Sequence, residues 1–338
     1  MQKVIISGER QAEIVEVPDP QPIEDWAVVK IHVAPMCTEY KAWLSGGRHE
    51  SIGHEAVGEV VAIAQPCKVQ VGDRVVVQPQ WPCGTCRLCL SGDYIRCLKP
   101  FNFAQFTGSP HGQACMAQYV LKPSWLLSPI PDEVSYHHAG LAICGLGPTF
   151  GACEIAQLGA FDTVVIAGMG PVGLGGVINA KFRHARVIAL EPLPWRQAKA
   201  RELGADFVLD PRDGNVLQQI MEITQGEGAR CTVDCAGTLD AQQLLLKATR
   251  FGGWMVFVAL AIDPFEIKGT PDLVRTGVKL AGAWHYNLND YPKLMQVIRE
   301  SPAIDQLITH VFGFSQVQEA FETSASHESA KVMLEPWQ

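Results

Sequence analysis

Residues 163–173 read TVVIAGMGPVG. Four β-branched residues in a row, Thr163 to Ile166, followed by Ala167, make a buried strand. The strand runs straight into Gly168-Met169-Gly170-Pro171-Val172-Gly173. This is G-x-G-x-x-G between a strand and a helix, the place where its physics works. Gly168 permits the tight turn and Gly170 lets the backbone approach a pyrophosphate at the helix N-terminus. Gly173 allows close helix–strand packing. Gly168, Gly170, Pro171, Val172 and Gly173 are therefore candidate cofactor-binding residues. A second strand ends at Glu191, eighteen residues after Gly173. An acid there can accept hydrogen bonds from both ribose hydroxyls of NAD and would repel the 2′-phosphate of NADP. Arg196 is a further ribose candidate or an ordinary solvated helix residue. Methyltransferases also use a glycine-rich turn and a later acid, and they are the competing reading of this stretch alone.

Outward from the fingerprint, residues 146–288 alternate strands with helical segments of roughly 10–15 residues, the pattern of βαβ units and a parallel sheet. Strands are expected at 163–167, 186–190, 207–209, 231–234, 254–258 and 278–280. Helices are expected at 171–181, 195–203, 217–224 and 241–248. Before residue 146 the pattern is different. Short Val- and Ile-rich runs at 4–6, 27–33, 57–63, 73–77 and 117–121 read as strands. No helix-period stretch of useful length is expected before about residue 135. The tail from 289 to 338 alternates helix and strand again. The chain is thus expected to be α/β, with a β domain over 1–145, a doubly wound domain over 146–288 and a C-terminal segment over 289–338.

Eleven cysteines are an odd count, so complete pairing within one chain is impossible. Four of them, Cys83, Cys86, Cys89 and Cys97, fall in PCGTCRLCLSGDYIRC with spacing C-x2-C-x2-C-x7-C. Two-residue gaps on a turning backbone let thiolates converge, and four soft ligands suit a closed structural zinc site. Pro82, Gly84 and Gly92 place the quartet in a loop, an insertion at about 81–98. An iron–sulfur cluster and plain cysteines remain alternatives, although bacterial ferredoxins use a three-residue final gap and a following Pro.

Apolar residues make up 47% and charged residues 18%, which excludes a disordered chain or a charged coiled coil. The net charge of −8 makes nucleic acid and anionic membrane surfaces poor partners. No apolar run reaches the roughly 18 residues of a membrane span. The opening MQKVIISGERQAEIV has no basic start, long apolar block or small-residue cleavage site, so a soluble, cytoplasmic protein is expected.

The remaining metal-ligand types stand apart: Cys37 in APMCTEY, His54 in IGHE and Cys144 in AICG. Separately each reads as an ordinary core or surface group. Together with the cysteine lobe and the fingerprint, they acquire a meaning. The ordered set Gly53-His54-Glu55, Val71-Gly72-Asp73-Arg74-Val75, Cys83–Cys97, Gly168–Gly173, Leu203-Gly204-Ala205-Asp206 and Lys331-Val332 resembles the zinc-dependent alcohol dehydrogenases of the medium-chain dehydrogenase/reductase superfamily. The resemblance covers nearly the whole chain. It implies a GroES-like β-barrel catalytic domain, completed by the C-terminal segment, beside a Rossmann domain with a six-stranded parallel sheet.

Residue by residue, the resemblance makes Cys37, His54 and Cys144 the catalytic zinc ligands, with a fourth position left for water or substrate. Many polyol-type relatives place Glu where Cys144 stands. Glu55 matches the family's acid behind the metal, which can bind it transiently. Glu39 matches the carboxylate that orients the ligating histidine, and Thr38 the proton relay. Three features depart from the family: Cys37-Thr38-Glu39 is one residue shorter than the usual Cys-Gly-Thr/Ser-Asp. Cys37 and His54 are closer in sequence than usual. The histidine proton exit after Cys37 is absent, and Lys41 near its place is a surface lysine or a proton carrier.

The implied activity is reversible NAD-linked oxidation of an alcohol to a ketone or aldehyde, with two zinc ions per chain and a homodimer or homotetramer as the assembly. A polar secondary alcohol such as a polyol, sugar or amino alcohol is expected as substrate. Phe101–Gly112 lies where the family places a variable substrate loop; Trp43 and Trp284-His285-Tyr286 are weaker pocket candidates. The rival readings are a zinc-free quinone or enone reductase of the same superfamily and a non-catalytic NAD- and zinc-binding sensor.

Overall fold

The computed structural model covers Met1–Gln338 and divides into two compact units. The first comprises Met1–Cys144, Asn287–Arg299 and Ile308–Gln338. The second comprises Gly145–Tyr286 and Glu300–Leu307. The tail therefore serves both units, with Glu300–Leu307 belonging to the second.

The second unit is built on a six-stranded parallel sheet. Its order is Phe207–Leu209, Arg186–Leu190, Thr163–Ala167, Ala229–Asp234, Thr249–Phe257 and Lys279–Gly282. Chain order reverses on either side of Thr163–Ala167, the doubly wound arrangement. The central strands are near-continuous apolar runs because both their faces are covered. Val164 to Ala167 and Val187 to Leu190 are all buried. The sheet's helices include Pro171–Phe182, Pro194–Glu202, Val216–Ile223 and Leu239–Ala248.

The first unit is a GroES-like β fold. Its seven-stranded sheet runs Ile308–Gly313, Lys331–Glu335, Trp26–Pro35, Ala56–Ile63, Arg74–Val77 and Leu127–Pro129, with Tyr119–Pro123 also paired to Trp26–Pro35. Alternate residues of these strands (Ala27, Val29, Ile31, Val75, Val77, Val120, Leu127) share one core with Phe312, Val332 and Leu334 from the tail. The last strand, Lys331–Glu335, pairs antiparallel with the end of Trp26–Pro35, Leu334 opposite Ala34. Tail residues thereby lie beside the turn that carries Cys37.

The expectation of no helix before residue 135 fails at Glu39–Ser45. Seven residues are too few to show a helical period, and such a helix is marginal alone. Packing supplies what propensity lacks: Trp43 is 1% exposed and stacks on Phe321 at 5.8 Å. Trp43 is thus core, not pocket wall. The Phe101–Gly112 segment holds a short helix, Phe103–Thr107. Phe101, Phe103 and Phe106 all pack on Trp26, at 5.5, 6.0 and 4.7 Å between ring centroids. Those three rings form an aromatic cluster with Trp81 and Leu121.

Candidate metal centre and dinucleotide turn

Cys37 follows the strand Trp26–Pro35, and two residues later Glu39 opens the short helix. The Glu39 side chain turns back. Its Oε2 accepts the Cys37 N–H at 2.7 Å, and its Oε1 pairs with His54 Nδ1 at 2.8 Å. With Nδ1 held there, the other ring nitrogen is aimed away: Nε2 lies 3.2 Å from Cys144 Sγ. Gly53 sets the approach of His54. It has φ +84°, and a Cβ there would sit 2.5 Å from the Met116 nitrogen. Only glycine carries that backbone at that distance without strain.

The donor atoms of Cys37, His54, Glu55 and Cys144 all lie within 4.8 Å of one another. Glu55 is fully buried. Its Oε2 accepts the Cys144 N–H at 3.1 Å, and its Oε1 pairs with Lys331 Nζ at 2.6 Å. Lys331, also fully buried, donates in addition to the Met36 carbonyl at 2.8 Å. Thr38 is exposed, and its hydroxyl makes no capping bond to the helix it precedes. Lys41 is exposed.

The protonation pattern follows from this crowding. The hydrogen bond from Cys144 holds the Cys37 thiol well below its ordinary range, against burial and with help from His54 and Lys331. Cys144, donating that bond, is pushed well up. Burial alone would lower His54, but Cys37 and Glu39 outweigh it and raise the imidazole to about 12. Burial pushes the Glu55 carboxyl up to about 7, with Lys331 pulling the other way. Two sulfurs, a carboxylate-backed imidazole and a carboxylate thus bring four metal-ligand atoms to one point. The donor set fits zinc, which takes Cys sulfur and His nitrogen in a tetrahedral shell. The contact between the Glu39 carboxylate and the imidazole is the usual support for a ligating histidine.

The four lobe cysteines also gather within 4.8 Å. Sγ separations are 3.5 Å for Cys86–Cys89, 3.5 Å for Cys83–Cys97 and 4.0 Å for Cys86–Cys97. A tetrahedron with Zn–S of about 2.3 Å has S–S edges of about 3.8 Å, between these values. All eleven cysteines are free thiols, so no disulfide competes for them. Buried Tyr94, Ile95 and Leu126 form the apolar floor of the lobe.

In the second unit, Gly168 has φ +87° and its N–H bonds to the Leu190 carbonyl at 2.9 Å. A Cβ on Gly173 would overlap the Gly168 carbonyl oxygen, whereas one on Gly170 would meet nothing within 4 Å. The open space before Gly170, at the start of the twelve-residue helix Pro171–Phe182, fits a pyrophosphate. Pro171 and Val172 are the first two residues of that helix.

Glu191 is 2% exposed. Its Oε2 accepts the Met169 N–H at 2.7 Å and its Oε1 the Leu193 N–H at 3.0 Å. A carboxylate has about four lone-pair directions, so acceptor capacity remains for a ribose. Arg196 is half-buried in the first turn of Pro194–Glu202. Trp284 is exposed, while His285 and Tyr286 are buried and stack at 4.6 Å.

Sequence reasoning quoted Lys331 as part of a pattern but gave it no role. Its signal was a lone lysine ahead of the apolar run Val332-Met333-Leu334, where a surface face has no room. Arg212, whose Nη2 donates to the Pro192 carbonyl at 2.7 Å beside Glu191, was not singled out at all.

Comparison with known proteins places the chain in a family. Residues 23–132 match the alcohol dehydrogenase GroES-like domain, and residues 171–300 match the zinc-binding dehydrogenase domain. The chain is 34% identical to an L-idonate 5-dehydrogenase of Vitis vinifera over 84% of its own length and 78% of that protein. It is 29% identical to a sorbitol dehydrogenase of Bacillus subtilis over 99% and 97% of the two chains. Among solved structures, an alcohol dehydrogenase from a Thermus species shares the fold with TM-score 0.88 at 23% identity, covering 99% of each chain. No helix is long and apolar enough to cross a membrane. With the family domains matched and a relative above 30% identity over most of its length, the chain belongs to the zinc-dependent alcohol dehydrogenases of the medium-chain dehydrogenase/reductase superfamily.

Proposed function

We propose that this chain carries out reversible, NAD-linked oxidation of a polar secondary alcohol of the polyol class to the corresponding ketone. One observation carries the reading: the convergence of Cys37, His54 and Cys144 donor atoms within 4.8 Å, with Glu39 fixing the imidazole. The names of the relatives, sorbitol and L-idonate dehydrogenases, support the substrate class. The acid Glu191 at the end of the second strand supports NAD over NADP.

In this reading Cys37, His54 and Cys144 hold the catalytic zinc, and Cys83, Cys86, Cys89 and Cys97 hold a structural one. A catalytic zinc supplies Lewis-acid polarisation of the alcohol oxygen, and the dinucleotide supplies the hydride acceptor. The rest falls to the chain. Glu39 holds the His54 ring through Nδ1, and Nε2 would be the atom that ligates the metal. Thr38, with an exposed and uncommitted hydroxyl one residue from Cys37, takes the alcohol proton toward solvent. Gly168, Gly170 and Gly173 shape the turn that receives the pyrophosphate, with Pro171 and Val172 opening the helix behind it. Glu191 accepts from the ribose, with Arg196 nearby on the following helix. Homo-oligomerisation is part of the proposal. Leu260, Ile262 and Val274, exposed at 75%, 100% and 78%, support it.

The test is a panel of polyols, simple alcohols and amino alcohols assayed for NADH and NADPH formation, with metal counted per chain. Two zinc ions, NAD-dependent polyol oxidation and loss of turnover in Cys37→Ser with NAD binding retained are the expected results. Turnover at the wild-type rate by metal-free Cys37→Ser would refute the proposal.

A further inference from the structure

The sheet of the first unit gathers a second group of polar side chains, none of them a candidate metal ligand. Lys30 and His32 are two residues apart in the strand Trp26–Pro35, so they share a face. The strand register sets Glu59 opposite Lys30 and Arg74 opposite Glu59, a row across three strands. Lys30, His32 and Arg74 line a cavity of about 390 Å³. Its other walls include Tyr136 and His137 from the short helix Tyr136–Gly140, and Glu335 and Trp337 from the tail. All of these residues belong to the first unit. The volume falls within the range of small-molecule sites, roughly 300–1,000 Å³.

The donors here are short of acceptors. His32 Nε2 is buried and has no hydrogen-bond partner. Buried polar groups in folded proteins nearly always have one, so an orphan beside a cavity points to a ligand. The ring is held in place, lying flat on Tyr136 with 4.4 Å between centroids and 2° between planes. Lys30 Nζ faces a ring and not a carboxylate, 4.5 Å from the Trp337 centroid. Arg74 gives Nη1 to the Pro131 and Asp132 carbonyls at 3.2 and 3.1 Å and Nη2 to the Val134 carbonyl at 2.6 Å. These partners are neutral and leave its charge in place. Of the two nearby acids, Glu335 Oε1 is taken by His137 Nε2 at 3.0 Å, and Glu59 offsets one of the two cations. Burial, with Lys30 beside it, lowers the His32 pKa; Arg74 acts in the same sense and Glu59 in the opposite one. Trp337, 44% exposed, adds apolar surface next to the donors.

We propose that this cavity binds a small organic carboxylate, its head held by His32 Nε2 and Lys30 Nζ and its body laid along Trp337. One uncompensated positive charge matches the single charge of a carboxylate better than the double charge of a phosphate monoester. The proposal is independent of the reading of Cys37, His54 and Cys144.

The test is calorimetric titration of full-length, zinc-loaded protein with benzoate, with benzamide as its neutral counterpart. The Cys37→Ser variant controls for a carboxylate seated on the catalytic metal. The expected result is saturable benzoate binding, roughly tenfold or more tighter than benzamide and retained in Cys37→Ser. Lys30→Met should weaken it roughly tenfold, and so should His32→Phe, which keeps the stack on Tyr136 but lacks Nε2. The proposal is overturned by no saturable binding, by benzamide binding as tightly, by loss of binding in Cys37→Ser, or by wild-type affinity in either cavity variant. Should both cavity variants fail to fold, Glu335→Gln decides. Removing that acid from the cavity wall should tighten benzoate binding severalfold, and unchanged or weaker binding overturns the proposal.

Discussion

Replacing Lys122 with Met tests whether a charge buried outside the metal centre costs this fold stability. Lys122 lies in Tyr119–Pro123, opposite Ala27, and is 1% exposed. No carboxylate faces it; its Nζ sits 4.2 Å from the centroid of the Trp81 ring. Burial lowers its pKa from the ordinary 10.5 to about 8. At about 1.4 kcal/mol per pH unit, that gap is worth about 3 kcal/mol against the folded state. Below pH 8 the lysine is protonated in both states and the full cost applies. Between about 8 and 10.5 the unfolded chain binds more protons than the folded one, so stability rises with pH. Met keeps the stem and removes the charge, at the loss of a cation–π contact of about 1 kcal/mol. Lys122→Met should therefore be about 2 kcal/mol more stable than wild type at pH 7. Because the linkage cost falls to about 1.5 kcal/mol at pH 9.5, most of that advantage disappears there. Urea unfolding followed by tryptophan fluorescence at both pH values measures this, since Trp26 and Trp81 adjoin the site. A Lys122→Met protein less stable than wild type at pH 7, or with the same advantage at both pH values, would refute the reasoning.

Four further outcomes are expected. Glu39→Gln keeps an acceptor for the Cys37 N–H but loses the charge behind His54, so zinc should leave the catalytic site roughly 10–100-fold more readily in a chelator titration. Gly173→Ala places a Cβ onto the Gly168 carbonyl, and the turn must open to relieve it. NADH affinity measured by fluorescence should fall at least about tenfold, for about 1.4 kcal/mol of misfit, while metal content stays at the wild-type level. Cys97→Ser leaves three thiols in the lobe, and metal analysis should show one zinc lost per chain. Treatment with a mild disulfide reductant should change nothing, because no cysteine is paired.

How far the sequence could be read depended on the distance between partners. The fingerprint turn is a local object: strand, glycine spacing and helix lie within residues 163–182, so residue types alone predict its shape. The lobe is largely local, because gaps of two, two and seven residues keep all four cysteines within fifteen residues. Even the strands of the parallel sheet announced themselves, since burial on both faces demands unbroken Val, Ile and Ala. The helix Glu39–Ser45 did not. Its seven residues are helical because Trp43 finds Phe321, nearly 280 positions away in the sequence.

The three phenylalanines of 101–106 could be counted but not oriented. Only the packed structure turns them onto Trp26 rather than into open space. The metal centre lies between these cases. Cys37, His54 and Cys144 were named through resemblance, since nothing in their own neighbourhoods distinguishes a ligand from a core thiol or imidazole. Their convergence depends on side-chain contacts far apart in the chain, Cys144 beside His54 across 90 residues and Lys331 against Glu55 across 276. Residue type and short spacing thus specified the dinucleotide turn and the cysteine lobe, whose partners share a few turns of backbone. Which carboxylate meets which lysine, and which ring becomes core, was left to the tertiary structure, because burial and charge pairing are properties of neighbours in space.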